Sequence, residues 1–66
     1  MAELKLNIEA IRVQLRLTRE EMAEKMEVNL DRYNRLATGT SKMLATELVL
    51  LHKISGVPYE NIEILG

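Results

Sequence analysis

Two closely spaced helix starts constrain this chain more than any other feature. Thr18 and Glu21 form a T-x-x-E capping box, in which a hydroxyl and a carboxylate each satisfy the other residue's free amide. Asn29 supplies a second N-cap, because its short side chain accepts from the first unbonded amides of the next turn. The pattern predicts one helix over 19–26, a break at Glu27-Val28-Asn29, and another helix over 30–37 stopped by Gly39. The first carries Met22, Ala23 and Met26 on one stripe, and the second carries Tyr33 and Leu36. Helices this short are not stable alone, so the two stripes must be buried against a common core.

The remaining segments supply that core. Ile8, Ile11 and Leu15 share one face of a first helix over 8–15, capped by Asn7. A fourth helix is expected over 44–55, with Leu44, Leu48, Leu51 and Ile54 inward and Gly56 at its end. Pro58 suits the first turn of a short fifth helix over 58–62. The two ends alternate instead: Leu4, Leu6 and Ile8 at one, Ile62 and Ile64 at the other, the period of short extended segments. Phe and Trp are absent and the two aromatics are Tyr33 and Tyr59, so the core is aliphatic and Met-rich. A chain of 66 residues makes one domain, 1–66, that buries only about 60% of its unfolded surface. The expected fold is all-α, a compact five-helix domain with short extended segments at the termini.

Composition narrows the function. With no Cys there are no disulfides and no thiolate metal sites. The longest apolar run, Leu48-Val-Leu-Leu-His52, is far short of the roughly 20 residues of a membrane span. No stretch reads as a signal peptide, so a reducing, cytoplasmic setting is expected. His52 is the one histidine; no nucleophile elbow, glycine-rich phosphate loop or metal-ligand spacing accompanies it, although Glu47 and Ser55 are near it in helical register. We expect no enzyme activity, no cofactor and no small-molecule substrate. Nine Lys or Arg against ten Asp or Glu leave a net charge of −1, a poor overall balance for nucleic-acid binding unless the charges segregate.

Ala23 as a small residue at a helix crossing, with Met22, Met26, Val28, Tyr33 and Leu36 inside the elbow, fits a helix-turn-helix. A generic helical miniprotein with the same core residues is the competing reading. The stretch Leu17-Thr-Arg-Glu-Glu-Met-Ala-Glu-Lys-Met-Glu-Val-Asn-Leu-Asp-Arg-Tyr-Asn-Arg-Leu-Ala-Thr-Gly39 resembles the phage repressor and Cro-type helix-turn-helix family. The later Leu48–Ile62 stretch is similar to that family's helix 4, Gly-Val turn and helix 5, so the resemblance spans about 8–62. Four positions depart from the family pattern. Arg19 stands for its Gln, Glu27 for its turn Gly, Tyr33 for a Val or Ile, and Ala37 for an acidic residue. Glu27 is therefore expected to adopt a left-handed backbone, and the Tyr33 hydroxyl to need a partner.

The resemblance implies a regulator, phage or bacterial, whose helix 3 enters the major groove of double-stranded DNA, usually as a dimer. It maps base reading onto Leu30, Asp31, Asn34 and Arg35. Arg35 suits guanine, Asn34 adenine, Asp31 the cytosine amino group and Leu30 a thymine methyl. Phosphate contacts fall to Thr18, Arg19 and the amides at the start of helix 2, and to Asn29, Arg32, Thr38, Thr40, Ser41 and Lys42. For each polar residue taken singly, an ordinary solvated surface is an equal reading, and Thr18 and Asn29 already have capping roles.

Glu20, Glu24 and Glu27 form an acidic ridge on the same helix pair. With Asp31 and Leu30, this ridge suits a protein partner, so an antirepressor that docks on another repressor is the alternative; an antitoxin of this fold is a further one. Ile62, Ile64 and Leu65 are expected either to form a homodimer surface or to pair within the chain against the N-terminal strand-like segment.

Overall fold

The computed structural model describes residues 5–64. Four α-helices follow one another, α1 (Ile8–Leu15), α2 (Arg19–Lys25), α3 (Leu30–Thr38) and α4 (Ala45–Ser55), and then a single 3-10 turn over Tyr59–Asn61. The all-α class holds for the described residues. Leu4 and Leu65 lie outside them.

The first three helices begin where a cap is written. The Asn7 and Asn29 side chains accept from the amides of Ala10 (2.8 Å) and Arg32 (2.7 Å). At α2 both halves of the capping box are closed: the Thr18 hydroxyl accepts from the Glu21 amide at 3.1 Å, and the Glu21 carboxylate accepts from the Thr18 amide at 2.8 Å. That amide holds the Glu21 carboxyl below the usual carboxylate range. At the other ends, Gly39 (φ 79°) and Gly56 (φ 72°) take the left-handed conformation that closes a helix C-terminus.

Ile8, Ile11, Met22, Ala23, Met26, Tyr33, Leu36, Leu51 and Ile62 form one buried cluster. α3 packs most extensively on α2, while α1 packs on both α3 and α4. Ala23 is buried at the α2–α3 junction, and its carbonyl accepts from the Val28 amide at 3.0 Å, which folds the connecting turn back onto α2. The turn passes through Glu27 at φ 60°, the expected left-handed residue.

Two expectations are corrected. Leu44 is not a core residue: it is the N-cap of α4 and is 59% exposed. Its inward place is taken by Glu47, a buried carboxylate whose Oε1 accepts from the Leu44 amide at 2.7 Å. The fifth helix is only one 3-10 turn. Its bonds run from Asn61 to the Pro58 carbonyl and from Ile62 to that of Tyr59, and Ile62 then returns to extended backbone. The reason is at the other end of the chain. Leu6 donates to the Asn61 carbonyl and accepts from the Glu63 amide, both at 2.8 Å, making a parallel bridge between Leu6 and Ile62. Ile62 is thereby buried within the chain instead of exposed for a dimer, whereas Ile64 stays 42% exposed.

A left-handed residue other than Gly costs about 1–2 kcal/mol. Glycine returns part of that through its larger unfolded-state entropy, about 0.4–1 kcal/mol. Glu27→Gly is therefore expected to stabilise the fold by roughly 0.5–1 kcal/mol, read as a higher urea midpoint at unchanged slope.

Candidate nucleic-acid interface

α3 buries Tyr33 and Leu36, and this fixes which of its residues face away. Asp31 and Arg35 lie on the opposite side, with side chains 75% and 58% exposed. They form an i, i+4 ion pair at 3.2 Å, a contact that in open solvent contributes little to stability. Thr38 completes this side one turn later. Its hydroxyl donates to the Asn34 carbonyl at 2.9 Å and lies 2.9 Å from the Thr40 hydroxyl. Leu30, at the start of the helix, is 40% exposed.

The two flanks of α3 are held by different ion pairs. On the α2 side, Arg19 donates to the Asn34 side-chain oxygen Oδ1 at 3.2 Å and to Glu9 Oε2 at 3.1 Å. Glu9 belongs to α1 and accepts from four donors in all. Oε1 takes Arg12 Nε at 3.0 Å and the Tyr33 hydroxyl at 2.5 Å, and Oε2 takes Arg12 Nη2 at 3.3 Å besides Arg19. Arg12 also reaches the Leu17 carbonyl at 2.7 Å. Burial alone would raise the Glu9 carboxyl; hydrogen bonds from Arg12, Tyr33 and Arg19 overcome it and hold the group at about 2. Burial, and then the bond to the Glu9 carboxylate, push the Tyr33 hydroxyl well above its ordinary value.

On the α4 side, Arg32 makes a two-point contact with Glu47, Nε to Oε2 at 2.9 Å and Nη2 to Oε1 at 2.8 Å. Nη2 also donates to the Lys42 carbonyl at 3.1 Å, which ties the loop after α3 to the start of α4. Arg32 holds the Glu47 carboxyl below the usual range against the opposing effect of its burial.

These contacts sort the twelve residues expected at DNA. Arg32 does not fit the role of a phosphate contact, because its guanidinium neutralises a buried carboxylate and releasing it would leave Glu47 charged and unpaired. Thr18 and Asn29 cap helices, their oxygens accepting from amides, though both are exposed. Arg19 and Asn34 are brought together on one flank, Lys42 lies on the other, and Asp31, Arg35 and Thr38 lie between. Thr40 and Ser41 are held by their amides on the Arg35 carbonyl, at 3.0 and 3.3 Å. Glu20, Glu24 and Glu27 are all exposed.

Sequence reasoning missed Glu9, Arg12 and Glu47. The need of a buried Tyr33 hydroxyl for an acceptor was the one available signal, and it did not say which carboxylate would answer. His52 sits at the other end of α4. Its Nδ1 is 2.7 Å from the Val57 carbonyl, and its ring stacks on Tyr59 with centroids 4.2 Å apart. Ser55 donates to the Leu51 carbonyl, a bond internal to the helix. Among the described residues no three His, Asp or Glu side chains are arranged to hold a metal ion, and no helix is long and apolar enough to cross a membrane.

Two stability measurements follow from the flanks. Arg32→Ala strands the Glu47 carboxylate and is expected to lower stability, with the Arg32→Met/Glu47→Leu pair recovering most of the loss; denaturant midpoints of the wild type and the two variants check this. Glu9 carries its proton near 4.5 when unfolded but only at about 2 in the fold. The unfolded chain therefore takes up the proton first as pH falls. The stabilisation is complete above about pH 4.5 and is lost progressively toward about pH 2. Urea midpoints taken from neutral pH downward should fall for the wild type and fall less steeply for Glu9→Gln.

Comparison with protein-family models, with curated proteins and with solved structures finds no match to this chain.

Proposed function

We propose that this chain is a sequence-specific DNA-binding regulator of the repressor type, a helix-turn-helix in which α2 lies across the backbone and α3 enters the major groove. The observation that carries this reading is the side of α3 left outside the core. It presents Arg35 and Asp31 to solvent between two flanks that are pinned by ion pairs. A helix held from both sides with its polar side free is what groove reading requires. A guanidinium on that side can give two hydrogen bonds to guanine O6 and N7, worth about 1–3 kcal/mol of discrimination.

Contacts to phosphate then fall to Arg19, Lys42 and the hydroxyls of Thr18, Thr38, Thr40 and Ser41. Few cations face the duplex, so a monomer binds weakly and a two-fold site occupied by a dimer supplies the affinity. The exposed Ile64 is one apolar residue available to such a pairing. Regulation would come from occupying an operator and excluding polymerase.

A second reading has its own support: the exposed ridge of Glu20, Glu24 and Glu27, with Leu30 and Asp31 beside it, suits docking on another repressor. Retention on DNA beads against retention on a repressor-loaded column separates the two.

Titration against duplex fragments at two salt concentrations tests the DNA reading. Arg35→Ala is expected to lose preference among sequences while still binding. Lys42→Ala should weaken every sequence alike and lower the log–log salt slope by about 1. If both variants bind a preferred fragment as the wild type does, these contacts are wrong.

A further inference from the structure

The two oxygens of the Glu9 carboxylate have different partners. Oε1 accepts from Arg12 Nε at 3.0 Å and from the buried Tyr33 hydroxyl, so it serves the core. Oε2 accepts from Arg12 Nη2 at 3.3 Å and from Arg19 Nη2 at 3.1 Å. The Arg12 side chain is mostly covered, at 21% exposure, whereas that of Arg19 is 47% exposed. The other contact of Arg19, to Asn34 Oδ1 at 3.2 Å, is exposed and has no charged acceptor. If Arg19 turns away, Glu9 keeps both bonds from Arg12 and the one from Tyr33, and its charge stays paired. Arg32 on the other flank has no such freedom, because its guanidinium is the ion-pair partner of the buried Glu47.

Arg19 is therefore the one member of the Glu9 network that can leave without stranding a charge, and a DNA phosphate is an anion that would draw it away. A guanidinium has donors enough to touch both anions, but bridging them would hold two like charges on the edges of one group. Turning outward separates them. We propose that Glu9 and the DNA backbone compete for Arg19: the pair is closed in the free protein and opens when a phosphate takes the guanidinium. Glu9 then holds the fold together and, through Arg19, lowers affinity for every duplex alike, since a phosphate contact carries no sequence information. The proposal rests on the reading of α3 as the groove helix, with Arg19 at the backbone.

The test is a double-mutant cycle of DNA affinity over the wild type, Glu9→Gln, Arg19→Ala and the two together, on two duplexes of unrelated sequence. Glutamine keeps one oxygen for Tyr33 and Arg12 Nε, and its NH₂ group no longer attracts Arg19. Removing an exposed ion pair as the competitor should tighten binding about two- to five-fold on both duplexes, while thermal melts by circular dichroism show a less stable fold. In the Arg19→Ala background the same substitution should leave affinity nearly unchanged. An equal gain in both backgrounds is the effect of one acidic charge fewer, and overturns the proposal. A loss of affinity that requires Arg19 makes Glu9 a support for the phosphate contact instead of a competitor, and overturns it too. If Glu9→Gln does not fold, the wild type carries the test: the side-chain nitrogen resonances of Arg19 should shift on saturation with duplex, and unchanged resonances overturn the proposal. A wild type that binds neither duplex at low salt is a different failure, since it removes the groove reading itself and the competition falls with it.

Discussion

The Glu9 carboxylate accepts from Arg12 on its own helix, Arg19 on α2 and the buried Tyr33 hydroxyl on α3. An aliphatic core of this size packs helices together without deciding their exact register, because Leu, Ile and Met contacts are not directional. A four-donor carboxylate is directional. It also fills the need created by the one aromatic residue in the buried cluster, which brings a hydroxyl inside. Removing the acceptor would leave that hydroxyl and Arg12 competing for water at the edge of a dry cluster. The relative placement of α1, α2 and α3 thus depends on one carboxylate as much as on the apolar stripes around it.

Most of the helical framework is legible in the sequence. Thr18-x-x-Glu21, Asn7 and Asn29 mark starts by local hydrogen bonding, and Gly39 and Gly56 mark ends by φ, so these signals need nothing from the rest of the chain. Glu27 is legible only through the resemblance, since it stands where that pattern has a turn Gly; nothing local marks it as left-handed. The misreadings lie where distant contacts decide. Leu44 fits an apolar stripe, but the position inside the fold goes to Glu47, because Arg32 comes from α3 to meet it. The segment after Pro58 reads as a helix until the pairing of Leu6 with Ile62 draws it into extended backbone. Of the expected contact residues, Arg35 and Asp31 were legible as outward from helical spacing alone. Arg32, one position before the buried Tyr33, has a spacing that suits a flank equally well turned to solvent or to α4, and only the buried carboxylate decides it.

α3 is flanked by two ion networks of unlike character. At Glu47 the carboxylate is buried and Arg32 is mostly covered, so the pair anchors the loop and the helix start through contacts that water reaches poorly. At Glu9 the Arg19 side chain remains 47% exposed. Its bond to the carboxylate can be exchanged for another anion at modest cost, since solvent screens what is lost. Rigidity is therefore concentrated on the α4 flank, and adaptability on the α2 flank.

The same distinction resolves the unfavourable charge count. A net charge of −1 treats every carboxylate as a repulsion toward a polyanion. Glu9 and Glu47 are each paired with an arginine of the fold and project little unpaired charge. What remains on α2, α3 and the loop after it is the exposed Glu20, Glu21, Glu24, Glu27 and Asp31 against Arg19, Lys25, Arg35 and Lys42. These are close to balance, so approach to a duplex would gain little from long-range attraction and would depend on short-range fit. Under the proposed DNA reading, a protein so arranged would discriminate mainly by which hydrogen bonds it completes, because it would have little nonspecific electrostatic affinity to add to every sequence. Asp31 sharpens this further. Beside a phosphate it would repel, and only a base edge with an amino donor would make it a favourable contact, so in the proposed function the acidic residue on the outward side would penalise wrong sites more than it strengthened right ones.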